Sequence, residues 1–462
     1  MFRMIGFQSS LCSGDAHMSV RACPTRQRSS TVLKSISTLA SSTESPRSQT
    51  PPTPPEMKVS DSVHTRNKIL ADKVKGELIL GPLTRGGNLP YRRLCADFGA
   101  KITMSEMVFS RMLLKGNRAE KARLKRADNE EFFGVQFATN SAAEGIATAK
   151  VAAEAGADWV DLNCGCPIFE ATRRGLGCML LRKPNKLAKL VNMISEGSPI
   201  PLTVKIRTGE SASKINAEKV VRLLESAGAA FVTIHGRTSQ QRYKKPADWD
   251  LMGRIASDVT IPVIGNGDVL TYYEADRRMA ESEFHAVMAA RGALIKPWIF
   301  QEYEEKREML FSQKERVEIY RRLAVYMKEH FQDDARGKKM AFYFLPWHFD
   351  FLCRYRHLPQ SDFETASLEK PLLQTRWTEL QEPIEAVLDR YGSSGGDVDD
   401  SLLGRLLACE LGEAHLAIAE VLWESGSDGE AVIGLEKLAS ENLKIWEEES
   451  RAKEFEEKNA QG

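Results

Sequence analysis

The chain alternates short apolar runs with amphipathic stretches about eight times, and this alternation constrains its fold more than any other feature. The apolar runs have the length of buried strands, and the stretches between them have helical periodicity and often end near a glycine. The strand candidates are 77–83, 101–105, 132–138, 158–163, 201–206, 230–235, 261–265 and 284–290. The helix candidates include 141–156, 185–196, 214–227 and 271–281. Such repeated units predict an α/β fold, the TIM (β/α)8 barrel.

A doubly wound open sheet is the competing arrangement of the same units. It is disfavoured because no Gly-x-Gly-x-x-Gly follows the first strand. Polar residues also cluster at the C-terminal ends of nearly all the strand candidates, and a barrel builds its active site from the loops at those ends.

Beyond Phe300 the strand signals stop and helical patterns follow. We therefore expect the barrel to be followed by a C-terminal helical domain.

The polar residues at the strand ends form a candidate site. In such barrels, the loops after strands seven and eight commonly bind a phosphate through backbone N–H groups, and Gly267 and Gly292 permit a close approach. Arg291 would add charge-assisted hydrogen bonds, so a phosphorylated cofactor is expected. In strand order, the candidate residues are Pro82, Leu83 and Thr84 (first), Gln136 (third), Asn163 and Cys166 (fourth), Lys205 and Arg207 (fifth), His235 (sixth), Asn266, Gly267 and Asp268 (seventh), and Ala290 and Arg291 (eighth).

Cys166 is the candidate catalytic residue. It follows a buried strand and lies between Gly165 and Pro167, in a loop expected to present its thiol. A thiol serves as a nucleophile, a metal ligand or a proton donor. The cysteines lack the spacing of a zinc site, so no metal is expected. Cys164 and Cys178 are interpreted as small buried hydrophobic residues.

Lys205 places a cation at the barrel mouth on a mostly apolar strand, where a desolvated charge is costly without an anionic partner. The negatively charged N1/O2 edge of a reduced flavin is one such partner. The alternative is an ion pair with a neighbouring strand. His235 also has two interpretations, as a ligand-binding residue or as a hydrogen-bonded structural histidine.

The sequence predicts four segments: an extension over 1–57, a barrel over 70–305, a helical domain over 306–445 and a charged tail over 446–462. The extension, rich in Ser, Pro and basic residues, is interpreted either as an organellar transit peptide or as a disordered segment. The scattered cysteines indicate reduced thiols in an intracellular compartment. That compartment is the cytoplasm or nucleus, or a mitochondrion or plastid if the extension is a transit peptide. No run of about 18 apolar residues indicates a membrane span.

The formal net charge of the chain is only +1, so the prediction of a nucleic-acid partner depends on local basic segments. The helical segments 312–334 and 340–356 interleave basic with aromatic residues, which is typical of RNA-contacting surfaces. The alternative is that the aromatic residues form a helix-bundle core and the charges a solvated face. A second basic stretch, 111–126, either contacts an RNA backbone or is solvated surface.

Two linked motifs carry a family resemblance. Asn163-x-Gly165-Cys166-Pro167 and the following Gly175-x-Gly177-Cys178-x-Leu180 resemble the signature of the tRNA-dihydrouridine synthases. The resemblance extends from about Leu80 to His357. It is strongest to the eukaryotic branch that modifies uridine 47 in the tRNA variable loop.

The resemblance implies an enzyme with an FMN-binding barrel and a helical tRNA-binding domain, which reduces the C5–C6 bond of uridine with NADPH, or NADH, as reductant. We expect the protein to be a monomer. Cys166 would be the proton donor, and Asn163 and Arg207 are candidates for holding the uracil edge. The residues that would bind FMN are Pro82, Leu83, Thr84, Gln136, Lys205, His235, Asn266, Gly267, Asp268, Ala290 and Arg291.

The chain departs from the resembled branch just after Cys166. That branch continues from Cys-Pro-Ile with Asp-Leu-Val, whereas this chain has Phe169-Glu170-Ala171. We therefore expect an altered loop beside the uracil. The alternative functions are a flavin-dependent reductase of a free pyrimidine or another small molecule, and a non-catalytic RNA-binding relative.

Overall fold

The computed structural model describes residues 57–243, 245–357, 360 and 401–460. The expected extension over 1–57 therefore lies outside the described residues, except for Met57. Residues 358, 359 and 361–400 of the expected helical domain lie outside them as well. Among the described residues, every helix is too short or too polar to span a bilayer.

A parallel barrel forms the first part of the described chain. Its strands run in the order β1-β9-β8-β7-β6-β5-β4-β2, each parallel to the next, and the end strands β1 and β2 contact each other. The two-residue strand β3 pairs with β4 beside this path. The strands are Leu78–Leu80 (β1), Ile102–Met104 (β2), Val108–Phe109 (β3), Phe132–Ala138 (β4), Trp159–Cys164 (β5), Leu202–Arg207 (β6), Val232–His235 (β7), Val263–Asn266 (β8) and Ala286–Ala289 (β9). The predicted (β/α)8 barrel is confirmed.

Helices surround the barrel and begin where the sequence supplies caps. The Ser141 side chain accepts from the backbone N–H of Glu144, and the Thr271 side chain accepts from that of Glu274. These helices are Leu89–Asp97 (α2), Ser110–Leu114 (α3), Arg118–Ala122 (α4), Ala142–Glu154 (α5), Phe169–Thr172 (α6), Pro184–Gly197 (α7), Ala217–Ser226 (α8), Trp249–Ser257 (α9), Tyr272–Glu281 (α10), Arg291–Ile295 (α11) and Ile299–Glu305 (α12). A 3-10 helix spans Gly177–Arg182.

A helix that the sequence patterns did not predict, Asp61–Val74 (α1), precedes the first strand. Its buried residues Leu70 and Val74 join a separate apolar cluster with residues near the starts of the strands, among them Ile79, Trp159 and Phe231. Since these positions mark the N-terminal ends of parallel strands, α1 covers the end of the barrel opposite the candidate site. The expected barrel boundary at residue 70 falls within this helix.

A group of helices follows the barrel, as expected for the C-terminal part. The helices are Gln313–Phe331 (α13), Ala335–Ala341 (α14), Leu345–Leu352 (α15), Leu402–Leu407 (α16), Gly412–Glu424 (α17) and Asp428–Ala460 (α18). The single helical stretch expected over 340–356 is wrong, because the chain breaks between Ala341 and Leu345. Pro346 in the first turn of α15 lacks an N–H and would clash with the carbonyl of Phe342 in a continuous helix.

The helical part docks on the barrel beside its first and last strands. Helix α13 packs on α2, and α15 packs on α11. His348 of α15 stacks on Tyr91 of α2 with ring centroids 4.2 Å apart, and its Nε2 lies 3.0 Å from Asn88 Nδ2. Burial lowers the pKa of His348 to about 3, so this contact between barrel and helices is made by a neutral ring.

Candidate active site

Cys166 lies just after β5, in a tight turn held by hydrogen bonds. Asn163 Oδ1 accepts from the backbone N–H of Cys166 at 2.9 Å and from that of Gly165 at 3.2 Å. The carbonyl of Cys166 accepts from the backbone N–H of Cys178 at 3.1 Å, which joins the turn to the 3-10 helix. The turn is therefore held on both sides, and it places a partly exposed thiol at the carboxyl end of the barrel.

The environment of Cys166 favours the thiol over the thiolate. Burial raises its pKa above the ordinary value, and a backbone hydrogen bond with Ile168 offsets only part of this change. The group is consequently protonated at neutral pH, as a proton donor must be. Cys164 is fully buried, as expected for a small hydrophobic residue, whereas Cys178 is half-buried.

A chain of side-chain hydrogen bonds leads from the Cys166 turn into the barrel and ends at Asp161, which is fully buried. The Asp161 carboxylate accepts from Thr203 Oγ1 at 2.6 Å and from Gln136 Nε2 at 2.9 Å. Gln136 Oε1 in turn accepts from Asn163 Nδ2 at 2.8 Å. An ionised carboxylate only accepts hydrogen bonds, so the Gln136 amide must turn its NH₂ group toward Asp161 and its oxygen toward Asn163. The Asn163 amide then donates to Gln136 and accepts from the Cys166 turn.

Asp161 was not singled out from the sequence. The available signal was an acidic residue in the middle of an apolar strand, since the whole of β5 is buried. Burial raises the pKa of Asp161 to about 6, although hydrogen bonds from Thr203 and Gln136 and the charge of Lys205 act in the opposite direction. A buried carboxylate with two donors is a costly group to keep in a core, and here it supports the Cys166 turn.

Cationic groups converge at the mouth of the barrel. Lys205 Nζ donates to Asn266 Oδ1 at 2.7 Å and makes no ion pair among the described residues. Burial, followed by the charge of Arg207, lowers the pKa of Lys205 to about 7. Burial and the charges of Arg207, Lys205, Arg237 and Arg291 hold the pKa of His235 well below its ordinary value. His235 is therefore neutral within a positively charged site.

Asp268 balances part of this charge. Its carboxylate accepts from Arg237 Nη2 at 2.7 and 2.8 Å and from the backbone N–H of Ala247 at 2.8 Å. Arg291 Nη2 is more distant, at 3.5 Å, and burial lowers the pKa of Arg291 to about 10. The side chain of Asp268 thus organises the two arginines, and Arg291 is the more weakly held of them.

The residues present fit an anionic, phosphorylated group. Among the partners described above, only the carboxylates of Asp161 and Asp268 offset the positive charge of the cations at the mouth. A bound anion would therefore lower the energy of the site. The loops after β8 and β9 also require glycine, since a Cβ on Gly292 would lie 2.0 Å from the carbonyl oxygen of Val269. Gly267 has a φ of +140°, which side-chain-bearing residues rarely adopt.

The structure brings the predicted cofactor-binding residues to one end of the barrel. Strand register places Lys205 beside Asn163 and Thr233, and His235 beside Arg207 and Asn266. Gln136 joins this group through the Asp161 chain. The remaining predicted residues lie in loops, with Pro82, Leu83 and exposed Thr84 after β1, Gly267 and Asp268 after β8, and Ala290 and Arg291 after β9. Their role in binding a cofactor stays a prediction.

The two candidate uracil-binding residues are both engaged within the protein. Asn163 uses both ends of its amide, as described above. Arg207 donates from Nε to the carbonyl of Gly165 at 3.0 Å, and from Nη1 to the carbonyls of Thr238 at 3.0 Å and Arg242 at 3.2 Å. Both side chains therefore hold the Cys166 loop and its neighbour, and their contact with a uracil stays a prediction.

The altered loop after Cys166 forms the short helix α6. Phe169, at its start, is 77% exposed. Glu170 pairs with Arg173 and Arg174, which keeps both guanidinium groups beside the loop. Among the described residues, no group of three or more His, Cys, Asp or Glu side chains is arranged to hold a metal ion.

Only some of the basic residues over 111–126 form ion pairs within the protein. Arg111 pairs with Glu144, Arg123 pairs with Glu106 and Glu120, and Arg126 pairs with Asp158. The other basic residues of the stretch, which are exposed, are Lys115, Arg118, Lys121 and Lys125. Contact of these four exposed residues with an RNA backbone stays a prediction.

The sequence is similar to a family model and to named proteins of other organisms. The sequence model described as dihydrouridine synthase (Dus) matches residues 79–357. A Xenopus tropicalis protein named tRNA-dihydrouridine(47) synthase [NAD(P)(+)]-like is 40% identical over 296 residues, which cover 62% of this chain and 46% of that protein. The Cryptococcus neoformans tRNA-dihydrouridine(47) synthase [NAD(P)(+)] is 41% identical over 301 residues, covering 61% and 41% of the two chains. This chain therefore spans less than half the length of these relatives.

Among solved structures, histamine dehydrogenase from Rhizobium sp. 4-9 aligns over 55% of this chain and 49% of its own, with a TM-score of 0.42 and 13% sequence identity. The fold assignment depends instead on the strand order given above. The family match covers the barrel from β1 to the end of α15 and the whole of the Cys166 loop. The chain belongs to the dihydrouridine synthase family.

Proposed function

We propose that this protein reduces the C5–C6 double bond of a uridine in tRNA to 5,6-dihydrouridine, with FMN as its cofactor and NADPH as reductant. The observation that carries the proposal is the partly exposed, protonated thiol of Cys166 beside a cationic barrel mouth, in a chain of the dihydrouridine synthase family. The names of the relatives support uridine 47 of the variable loop as the position.

The side chains at the mouth have distinct roles in this reaction. Arg291 and the glycine-containing loops after β8 and β9 would hold the phosphate of FMN, while Lys205 would lie at the anionic edge of its ring. When bound, FMN supplies the transfer of hydride from the nicotinamide to C6 of the uracil. Hydride addition at C6 leaves negative charge on the uracil, and Cys166 donates its thiol proton to C5. One hydride and one proton then complete the reduction.

The target base must leave the RNA stack to reach this mouth, as chemistry on a base edge requires. The Cys166 turn is held by hydrogen bonds on both sides and its thiol is only partly exposed, so a paired base in a helix would not reach it. An RNA with accessible unpaired bases fits this geometry, and the helices after the barrel would hold the rest of the molecule.

Nucleoside mass spectrometry tests the proposal. Unmodified tRNA is incubated with the protein, FMN and NADPH, and dihydrouridine is measured in fragments of the tRNA. We expect it in a variable-loop fragment. Loss of a general acid typically slows a reaction by about 10²–10⁴-fold, so Cys166→Ala should lower the rate on that order. Cys178→Ala is the matched control, since its half-buried thiol lies in the adjacent 3-10 helix, and it should keep most of the activity.

The outcomes separate the alternatives. Dihydrouridine in another fragment would keep the reaction and reject position 47. Free uracil or uridine reduced in place of tRNA would favour the small-molecule reductase. A wild-type protein that binds flavin and reduces neither substrate would reject the proposed function.

A further inference from the structure

Arg85 has a strained and well-defined backbone. It follows Thr84 in the loop after β1 and has a φ of +65°, in the left-handed region that residues with side chains rarely adopt. Its carbonyl accepts from Asn88 Nδ2 at 2.6 Å, and the same amide nitrogen contacts His348 of the helical part. The backbone N–H of Gly87 donates to the carbonyl of Leu83 at 2.7 Å and closes the loop. These hydrogen bonds hold the backbone at Arg85 in place.

The guanidinium of Arg85 has an aromatic neighbour and no acidic one. It lies 4.3 Å from the ring centroid of Tyr343, which is in the connection between α14 and α15. Among the described residues, no carboxylate or carbonyl accepts a hydrogen bond from this guanidinium. Tyr343 remains 54% exposed although the arginine lies over its ring. A half-buried guanidinium with unused donors, stacked on an exposed ring, is a site for a planar or anionic partner.

A second arginine–tyrosine pair shows what a purely structural pair looks like in this protein. Arg93 of α2 lies 3.7 Å from the ring centroid of Tyr326 in α13. Arg93 also pairs with Glu329, and the Tyr326 hydroxyl donates to Asp97. Both polar groups are thus satisfied within the protein. The Arg85–Tyr343 pair also joins the barrel to the helices, but its polar groups are left for a partner.

The Arg85–Tyr343 pair lies at the rim of the barrel mouth. Arg85 is adjacent in sequence to Thr84, one of the predicted cofactor-binding residues. Tyr343 precedes α15, which packs on α11, and α11 begins at Arg291. A strand of RNA that places one base in the mouth would pass this rim.

We propose that Arg85 and Tyr343 form a platform on which an unpaired base of the substrate RNA stacks, next to the base that enters the barrel. Aromatic rings and guanidinium planes both stack on bases, and the unused N–H donors of Arg85 suit the phosphate of the same nucleotide. This inference rests on the proposed function, because it takes RNA as the substrate.

Binding of an unmodified tRNA transcript to the flavin-loaded protein tests the platform. Loss of one base–aromatic stack weakens binding by about 5- to 150-fold, so Tyr343→Ala should weaken it by at least about 5-fold. Arg85→Ala should weaken it as well and reduce the salt slope by about one, as loss of one phosphate contact does. Tyr326→Ala and Arg93→Ala are the matched controls and should bind tRNA like the wild type.

Further measurements keep the result interpretable. Thermal unfolding shows whether each variant is folded, and Tyr343→Leu, which keeps apolar bulk but lacks the ring, should bind as weakly as Tyr343→Ala. A fully paired RNA duplex offers no unpaired base, so Tyr343→Ala should not change its affinity. The platform is rejected if Tyr343→Ala binds tRNA like the wild type. It is also rejected if Tyr343→Ala weakens binding of the duplex as much as binding of tRNA, or if Tyr326→Ala and Arg93→Ala weaken tRNA binding as much as the platform variants do.

Failure of the platform and failure of the proposed function give different results. If the wild type forms no dihydrouridine, the proposed function fails whatever the variants bind. If the wild type forms dihydrouridine and Tyr343→Ala binds tRNA normally, only the platform fails.

Discussion

The protonation state of Cys166 determines how the reaction should depend on pH. Burial raises the pKa of its thiol, and the protonated form is the active one in the proposed function. The rate of uracil reduction should therefore stay level through neutral pH and fall about tenfold per pH unit only above the raised pKa. Rapid mixing of pre-reduced protein with tRNA between pH 6 and 10 measures this rate. A rate that rises with pH would indicate a thiolate instead.

A substitution at Gly292 tests the predicted phosphate-binding loops. A Cβ there would lie 2.0 Å from the carbonyl oxygen of Val269, so Gly292→Ala must displace one of the two loops. We expect this variant to lose bound flavin, measured by absorbance of the purified protein. Gly412→Ala is the control, because a Cβ there meets nothing within 4 Å, and it should retain flavin like the wild type.

Residues that end a strand could be predicted from the sequence, whereas residues that support them could not. Cys166 and Lys205 interrupt apolar patterns at strand ends, where a barrel places its chemistry. Asp161 and Tyr343 were missed because their roles depend on neighbours that are distant in sequence. The donors to Asp161 come from β4 and β6, and the arginine over Tyr343 comes from the loop after β1.

At the scale of elements, the Asp161 chain joins β4, β5 and β6 to the Cys166 turn. Asp161→Asn keeps an oxygen to accept from Gln136 and an N–H to donate to the Thr203 hydroxyl, so turnover should fall only a few-fold. Asp161→Leu leaves the buried Gln136 amide without an acceptor, and kcat should fall about tenfold or more. The control is Thr233→Val, because the Thr233 hydroxyl is buried without a partner among the described residues and should be dispensable.

The same carboxylate predicts a pH dependence of stability. Burial raises the pKa of Asp161 from 3.8 to about 6, so the ionised form is less stable in the folded protein than in the unfolded chain. Relative to Asp161→Asn, the wild type should therefore lose about 3 kcal/mol of unfolding free energy as pH rises from about 3 to about 7, with most of the loss between about pH 4 and pH 6. Urea unfolding of both proteins across this range measures the difference. A constant difference would show that Asp161 keeps an ordinary pKa.

The strands were more predictable than the short or polar elements. Parallel strands buried on both faces appear as apolar runs, which is why the predicted runs match the observed strands. Strand β3 has two residues and leaves no pattern. Helix α1 has only Val63, Leu70 and Val74 buried among its 14 residues, so its periodicity is weak. Most aromatic residues of α13 to α15 are buried or half-buried, which supports the core interpretation for them, and Tyr343 is the exposed exception.

At the scale of the whole molecule, α1 contributes to stability at the end of the barrel far from the chemistry. Leu70 is 1% exposed and packs among residues at the strand starts, whereas its neighbour Ile69 is 65% exposed. Leu70→Ala should lower the free energy of unfolding by about 2–5 kcal/mol, and Ile69→Ala should change it by less than about 0.5 kcal/mol. Denaturant unfolding measures both. Equal effects would mean that α1 does not pack against the barrel in solution.

The position of α1 also bears on the order of events in catalysis. Among the described residues, α1 covers the lower end of the barrel with an apolar cluster, so we expect ligands to enter through the mouth. In the proposed function, the nicotinamide and the RNA base would share this opening, so each would leave before the other enters. Steady-state kinetics with NADPH and tRNA varied together should give parallel double-reciprocal lines, the signature of a ping-pong enzyme.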